Sequence, residues 1–479
     1  MRIIIIGGGI SGCAVYLQLK KHLPQPNTSS QHEIIIYEAY DTGIDTKDEN
    51  RDGQTHSSTL VVGGGLGLFP NGLKVLERLD EDILREIVCG GYVIAHQNMK
   101  SKNGTLLLRM DPSADPDPSG DGKRMHLLGI SRHSLWSSLR RRVPSCDIQT
   151  KLVSKVVANE HGSNVVYFAN GIPPVEADLV IGADGVKGIT KQALFPNQQI
   201  CKPEYHLVGV GGLISTKEVQ GLVEKGSMNL VFGGNGFFGY FYSNSASSAQ
   251  HRGSAYDVSE PGETLAWWST YAVDECPDPK SLDMDAVEKQ LRERHAQWKD
   301  PVIQKILPLL QVRSMYPTWT TPQLPTWEKN GVVLIGDAAH ALPSTSGQGS
   351  SQALEYAEAF TILLSHTLRG VYQKDSADTI TNKEAITTAA KQYEAIRYPR
   401  VQEISENAQR MQNSKRDMGP IAEYTLYCVL WIAGTSIYTA GFCLLTFLGC
   451  FPNIMSRFQK KVINYNIAED VKAFIGRQE

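Results

Sequence analysis

Three glycines and one acidic residue near the amino terminus have the types and spacing of a dinucleotide-binding turn. Gly7, Gly9 and Gly12 follow the run RIIII, and Glu38 ends a second β-branched run, EIIIY. The first glycine allows the tight turn, the second lets the backbone approach a pyrophosphate, and the third lets the helix pack closely on the strand. The free N–H groups of that helix then face the phosphates. Glu38 would bind a ribose diol, so we expect a nucleotide without a 2′-phosphate, and both FAD and NAD remain open.

A second group of residues, LIGDAAHALPSTSGQG at 334–349, has the pattern of a flavin site. Asp337 follows an apolar strand, where its carboxylate can accept a hydrogen bond from a ribityl hydroxyl. Gly347 and Gly349 precede the predicted helix SSQALEYAEAFTILL. The amino terminus of this helix would direct its dipole at the flavin N1/C2 carbonyl region, where negative charge collects on reduction. The second group therefore favours FAD over NAD.

The elements that must position these residues are buried parallel strands with helices between them. RIIIIG and EIIIYE flank the predicted helix GCAVYLQLKKHL and form a βαβ unit, whereas residues 205–320 have the alternation of an antiparallel sheet. We predict an α/β fold with a Rossmann-like FAD-binding domain, an interleaved antiparallel-sheet substrate domain and C-terminal helices. The FAD-binding domain is expected at 1–80, 125–200 and 325–410, the substrate domain at 81–124 and 201–324, and a hydrophobic helical tail at 411–479.

Composition excludes several other classes of protein. The chain has 479 residues, enough for two domains, and its net charge of −3 gives no reason to expect a nucleic-acid partner. The eight cysteines form no CxxC pair or Cys/His cluster, so neither a metal site nor a disulfide framework is indicated.

Together these motifs resemble the single-component aromatic hydroxylases with the p-hydroxybenzoate hydroxylase fold, which pair GxGxxG with a distant GDAAHxxPPxxGQGxN. The second motif is matched by Gly336, Asp337, His340, Pro343, Gly347, Gln348 and Gly349. Further matches are GGGLGLFPNGLKVLERL (63–79), Arg132 in SRHSLWSSL, GADG (182–185), LPTW before the second motif, and YEAIRYPRV (393–401). The departures from the pattern are Ser344, Ser351, Tyr356, Gly188 and Lys191.

The resemblance implies roles for several residues and a reaction. Arg132 would contact FAD, the Asp184–Gly185 turn would lie between the flavin and the pyridine nucleotide, and Pro343 would line the reaction site. NAD(P)H, a transient co-substrate, would reduce FAD, and O2 would form a C4a-hydroperoxyflavin. That species would hydroxylate or epoxidise an organic substrate, expected to be an aromatic or polycyclic secondary metabolite. An FAD-dependent dehydrogenase or reductase on the same fold is the alternative.

Three aromatic residues lie on strands that we expect to face the substrate pocket: Tyr240, Tyr242 and Trp268. Of these we take Tyr240, together with Pro343, as a candidate catalytic residue. We interpret His340 as a packing or turn residue.

The carboxyl-terminal region contains a long uncharged stretch, residues 424–451, followed by Arg457, Lys460 and Lys461. About 20 apolar residues suffice for a helix to cross a bilayer, and basic residues suit anionic headgroups. We therefore expect membrane association through 424–451, with the catalytic domain cytoplasmic, on the cytosolic face of the membrane. A buried helical hairpin that packs on the protein or on a dimer partner is the alternative.

Overall fold

A computed structural model describes residues 1–26, 31–41, 65–116, 122–197, 203–273, 283–312, 315–373, 381–412, 417–438 and 459–478. These residues form a mixed α/β structure with two large sheets, two small sheets and a mainly helical carboxyl-terminal part. The predicted fold class is confirmed.

The first large sheet is built on buried β-branched residues and has six strands in the order β18-β19-β12-β1-β2-β8. Its strands are β1 (Arg2–Ile6), β2 (Glu33–Glu38), β8 (Ile148–Thr150), β12 (Leu179–Gly182), β18 (Glu328–Lys329) and β19 (Val332–Leu334). The central strand β1 pairs in parallel with β2 and β12, and β12 pairs in parallel with β19. The carboxyl ends of these strands therefore meet at one edge, which is where ligands bind in open α/β sheets.

The second large sheet has seven strands in the order β17-β13-β16-β15-β14-β5-β6. Its strands are β5 (His96–Ser101), β6 (Leu106–Met110), β13 (Glu204–Ser215), β14 (Ser227–Gly233), β15 (Gly236–Tyr242), β16 (Thr264–Ala272) and β17 (Met315–Thr320). All neighbours are antiparallel except β14 and β5. Alternate side chains in each strand point to opposite faces.

The small sheets and the helices complete the structure. One small sheet contains β3 (Gly65–Leu68), β4 (Tyr92–Ile94) and β7 (Leu127–Ser131), and the other β9 (Val153–Val157), β10 (Asn164–Phe168) and β11 (Val175–Ala177). The helices are α1 (Ile10–His22), α2 (Pro70–Leu79), α3 (Glu81–Cys89), α4 (Arg132–Arg140), α5 (Met284–His295), α6 (Pro301–Ile306), α7 (Gly349–Gln373), α8 (Asn382–Gln412), α9 (Pro420–Tyr438) and α10 (Ile467–Gly476).

Helix α9 corrects the prediction for the carboxyl-terminal region. One side of it packs on the seven-stranded sheet, where the buried Glu423 carboxylate lies 2.8 Å from Lys102 Nζ and Tyr427 donates a 2.7 Å hydrogen bond to the Phe232 carbonyl. No helix in the described ranges is long and apolar enough to span a membrane. The prediction that residues 424–451 hold the protein on the cytosolic face of a membrane is therefore wrong. The part of that segment from 439 onward lies outside the described residues.

Candidate active site

The turn after β1 has the close backbone packing that its glycines predict. A Cβ atom at Gly7 would lie 2.5 Å from the Ala183 carbonyl oxygen, and a Cβ atom at Gly12 would lie 1.9 Å from the Gly7 carbonyl oxygen. Gly9 is the residue before α1, and no side chain in the described part of the chain caps this helix end. The first N–H groups of α1 are consequently available to a phosphate, as the dinucleotide-binding pattern requires.

Glu38 lies beside this turn, at the end of β2. Its carboxylate accepts a 2.6 Å hydrogen bond from the Gly8 N–H and a 3.2 Å hydrogen bond from the Tyr40 N–H. Trp136 of α4 donates a 2.8 Å hydrogen bond from its indole nitrogen to the Gly8 carbonyl, and this contact fixes the turn from the other side. An acidic side chain next to the glycine turn is placed to accept hydrogen bonds from a ribose.

The second motif meets the first at the carboxyl edge of the parallel sheet. The Ile335 N–H donates a 2.9 Å hydrogen bond to the Gly182 carbonyl at the end of β12. At the next residue, a Cβ atom on Gly336 would lie 2.2 Å from Ser11 Oγ in the first turn of α1. Asp337 therefore follows a turn that lies directly against the start of α1, although the two motifs lie far apart in the sequence.

Charged residues from three segments converge around Asp337. Burial raises the pKa of Asp337, while the positive charges of Arg132 and Lys191 act to lower it. Arg132 is the first residue of α4, and Lys191 follows the Asp184–Gly185 turn. The structure thus brings Arg132 and Asp337 into one electrostatic environment. Sequence reasoning treated Lys191 only as a departure from the family pattern and assigned it no role.

Asp184 has one buried oxygen without a protein partner. Its Oδ2 accepts hydrogen bonds of 2.9 Å and 2.8 Å from the backbone and hydroxyl of Thr190. Its Oδ1 is buried and has no hydrogen-bond partner among the described residues. A buried acceptor without a partner is costly, so this oxygen is suited to a ligand hydroxyl or N–H group.

The start of α7 is open at the same edge. Pro343 is buried before the short turn Ser344–Ser346, whereas Gly347 and Gly349 are exposed. No atom lies within 4 Å of a Cβ position at Gly349. The amino terminus of this long helix can therefore be approached by a ligand.

A buried polar network supports the start of α7 and was not predicted from the sequence. Glu355 receives Arg397 at 2.5 Å, Arg400 at 2.9 Å and the Asn71 amide at 2.6 Å. The same Asn71 amide donates a 3.0 Å hydrogen bond to Gln348, between the two exposed glycines. Burial acts to raise the pKa of Glu355, but the two guanidinium groups outweigh this effect and lower the pKa to about 2. The network ties α2 and α8 to the start of α7. Asn71, Arg397 and Arg400 lie in matched stretches to which no role was assigned, and Glu355 lies in the helix predicted after the second motif.

Tyr240 does not lie with the candidate cofactor-binding residues. It lies on the face of the seven-stranded sheet that α5 and α6 cover, where its hydroxyl group is 3.0 Å from Lys100 Nζ and 3.2 Å from Asp300 Oδ2. Its neighbour Phe241 points to the opposite face, because a Cβ atom at Gly129 in β7 would lie 2.5 Å from the Phe241 ring. Tyr240 and Trp268 therefore project to opposite faces of the sheet by strand alternation, although both were expected to face one pocket.

His340 is buried within the second motif, where its backbone N–H donates a 3.0 Å hydrogen bond to the Gly336 carbonyl. Burial lowers its pKa to about 4, so it is uncharged near neutral pH. This placement agrees with its interpretation as a packing or turn residue.

Taken together, the site fits FAD. A glycine turn with an uncapped helix, an acid beside it, an unpartnered buried carboxylate oxygen and an open helix amino terminus line one edge of a parallel sheet. In comparison with known proteins, the chain matches the family described as FAD binding domain over residues 133–394. The chain belongs to this family. The predicted cofactor is confirmed.

Proteins similar to this chain in sequence include monooxygenases. The FAD-dependent monooxygenase ntnJ of Nectria sp is 24% identical over 412 residues, which cover 84% of this chain and 82% of the relative. Asperlicin C monooxygenase of Petromyces alliaceus is 22% identical over 417 residues, covering 84% of this chain and 77% of the relative. The resemblance to FAD-dependent monooxygenases is confirmed.

Solved structures show the same fold. The substrate complex of salicylate hydroxylase aligns with a TM-score of 0.66 at 17% identity and covers 99% of this chain and 98% of its own. HpxO of Klebsiella pneumoniae, solved with FAD and uric acid, aligns with a TM-score of 0.64 at 19% identity and covers 94% and 98%.

Proposed function

We propose that this protein is an FAD-dependent monooxygenase that uses NAD(P)H and O2 to hydroxylate or epoxidise an organic substrate. The observation that carries the proposal is the contact between the two motif turns, Gly336 against Ser11, at the carboxyl edge of the parallel sheet. This contact puts a dinucleotide-binding turn and a flavin-binding turn within one site. The monooxygenases among the relatives support the oxygenating reaction over a dehydrogenase or reductase.

The described residues divide the binding of FAD among themselves. Gly7, Gly9 and Gly12 with the α1 amino terminus hold the pyrophosphate, and Glu38 holds the ribose. Asp337 would accept a hydrogen bond from the ribityl chain, and Arg132 would neutralise phosphate charge. The remaining cofactor contacts come from Asp184, Gly185, Gly347 and Gly349. The division into an FAD-binding domain (1–80, 125–200, 325–410), a substrate domain (81–124, 201–324) and a carboxyl-terminal part (411–479) belongs to the same proposal.

The chain's own contribution to the reaction is binding, orientation and exclusion of water. When bound, FAD supplies hydride uptake from NAD(P)H and activation of O2. The open amino terminus of α7 presents N–H groups that stabilise negative charge at the site. Pro343 is buried before the turn that leads to α7 and offers no backbone N–H.

Oxygen labelling tests the reaction type. Protein saturated with FAD is supplied with NAD(P)H and candidate aromatic or polycyclic substrates under ¹⁸O2. We expect substrate-dependent O2 consumption that matches NAD(P)H oxidation, and one labelled oxygen atom in the product. Turnover that continues without O2 when an artificial electron acceptor is added, with no label in the product, would establish a dehydrogenase instead.

A further inference from the structure

One face of the seven-stranded sheet is directed at the cofactor site. We call it the front face and define it by two rows of paired residues. The first row is Leu213, Ala266, Phe241, Met228, Gln97 and Met110, and the second is Gly211, Trp268, Gly239, Leu230, Met99 and Leu108. Paired residues in neighbouring strands project to the same side of a sheet.

Strand β3 joins the front face to the cofactor site. A Cβ atom on Gly65, its first residue, would lie 2.9 Å from the Phe241 ring. Phe69, which follows the strand, would lie 3.0 Å from a Cβ atom on Gly347 at the start of α7. Four strand residues span roughly 13 Å at about 3.3 Å each. The front face at Phe241 therefore lies roughly 13 Å along β3 from the open start of α7.

Trp268 and Leu230 form the partly exposed centre of the front face, which we call the hollow. The Trp268 indole lies over Gly239, where a Cβ atom would be 2.3 Å from the ring, and its edge contacts Phe237 and Phe241 at centroid distances of 5.8 Å and 5.7 Å. Trp268 and Leu230 remain partly exposed in the middle of the sheet, although Met99 in the same row is only 4% exposed. An aromatic ring left open at the centre of a sheet is a surface for a planar ligand.

Helix α9 forms one wall of this hollow. Tyr427 and Leu430 pack with Met99 and Phe237, and the partly buried Leu426 lies in the same cluster as Trp268. The helix is held close to the sheet, because a Cβ atom on Gly434 would lie 2.5 Å from the Leu107 carbonyl oxygen. This wall lies outside the 133–394 range that matches the family.

The two faces of the sheet differ in charge. No residue in the two front-face rows carries a charge, whereas Lys100 and Arg109 lie on the back face, where Lys100 Nζ is 3.9 Å from Asp300. A charged ligand in the front-face hollow would lose its hydration without gaining a partner of opposite charge from those rows.

We propose that the substrate cavity lies between the front face, β3 and α9, and that it binds an uncharged, largely apolar molecule with a planar ring against Trp268. This inference rests on the proposed monooxygenase function and assigns its substrate class. Helix α9 is then a specificity-determining element.

Two probes of the same shape test the charge preference. 2-Naphthol is neutral near pH 7, and 2-naphthoate is anionic. Each is titrated into the FAD-loaded protein while the flavin absorption spectrum is followed. We expect 2-naphthol to bind at least tenfold more tightly than 2-naphthoate. Equal binding, or tighter binding of the anion, overturns the proposal.

Variants test the location of the cavity. Leu230→Lys is expected to reverse the preference by adding a cation to the front face, and Leu426→Trp to weaken 2-naphthol binding at least fivefold by filling the hollow. The matched control, Trp431→Ala, changes a residue that is 56% exposed on the other side of α9 and should alter neither value. FAD content is measured for every variant. Should Leu230→Lys not fold, Trp268→Leu replaces it, with at least fivefold weaker 2-naphthol binding expected. Unchanged probe binding in folded, FAD-loaded variants overturns the location.

These results are separable from the oxygenase test. Preferential binding of 2-naphthol without any O2 consumption would contradict the monooxygenase function and leave the cavity in place. Labelled product from an anionic substrate that binds as tightly as its neutral analogue would support the monooxygenase function and contradict the proposed charge preference of the cavity.

Discussion

At the scale of single residues, Asp337 and Arg132 carry the most specific expectations. Both were chosen from the sequence, and the structure places them so that the Arg132 charge acts on the Asp337 carboxyl. Arg132 and Asp337 come from distant parts of the chain, the start of α4 and the turn after β19. Both segments were recognised in the sequence.

Replacement of Asp337 with Ala should weaken FAD binding. The loss of a hydrogen bond that the Asp337 carboxylate accepts from a ribityl hydroxyl corresponds to about 1–3 kcal/mol. Titration of the apoprotein by flavin fluorescence measures the change. Asp285→Ala, in the first turn of α5, serves as the control and should bind FAD normally. Equal affinity in both variants would contradict the role of Asp337.

Replacement of Arg132 with Ala should also weaken FAD binding, because a guanidinium group near the pyrophosphate offers several charge-assisted donors. We expect a loss on the order of 1.5–3 kcal/mol. Arg141, which follows the opposite end of the same helix, is the control, since its guanidinium group forms a 3.0 Å ion pair with Glu86. A larger loss for Arg141→Ala than for Arg132→Ala, in the same fluorescence titration, would refute the assignment.

At the scale of elements, the sequence predicted the turns better than the faces. The glycine turns and the strands that precede them follow from local spacing, so their positions agree with the structure. The orientation of Tyr240 depends on strand parity relative to a sheet partner, which an aromatic run such as GFFGYFY leaves undetermined. The carboxyl-terminal segment failed for a related reason. Its uncharged length predicted a membrane segment, whereas α9 packs on the sheet through Glu423 and Tyr427, whose partners are remote in sequence.

The network beneath α7 gives a prediction with a defined pH dependence. The folded pKa of Glu355 is about 2, below its ordinary 4.5, so its ionisation stabilises the fold above about pH 4.5. That stabilisation is lost as the pH falls towards 2. Glu355→Gln leaves the buried Arg397 and the partly buried Arg400 without a counter-charge and should destabilise the protein by about 3–5 kcal/mol at neutral pH.

Denaturant unfolding at several pH values measures this effect. The difference between wild type and Glu355→Gln should be constant from neutral pH down to about 4.5 and shrink below it. Glu406→Gln, at an exposed position on α8, should match wild type throughout. A difference that grew as the pH fell would show that the network does not hold an ionised carboxylate.

At the scale of the whole molecule, FAD should stabilise the folded state selectively. A ligand that binds only the native protein adds about 2.7 kcal/mol to the unfolding free energy at a free concentration 100 times its Kd. Thermal unfolding of the apoprotein should therefore shift upward with FAD and not with NAD at equal concentration. The reverse order would indicate that the turn after β1 binds a different nucleotide.

The order of strands in the parallel sheet also bears on how the chain is made. The central strand β1 is synthesised first, but its neighbour β12 begins at Leu179, and β19, which completes that side, ends at Leu334. Helix α7 then returns to α1, where Ser365 donates a 2.6 Å hydrogen bond to the His22 carbonyl. Contacts of such sequence separation slow folding. A ribosome must therefore deliver about three quarters of this polypeptide before its first strand can be enclosed, and until then the isoleucines of that strand stay accessible to chaperones.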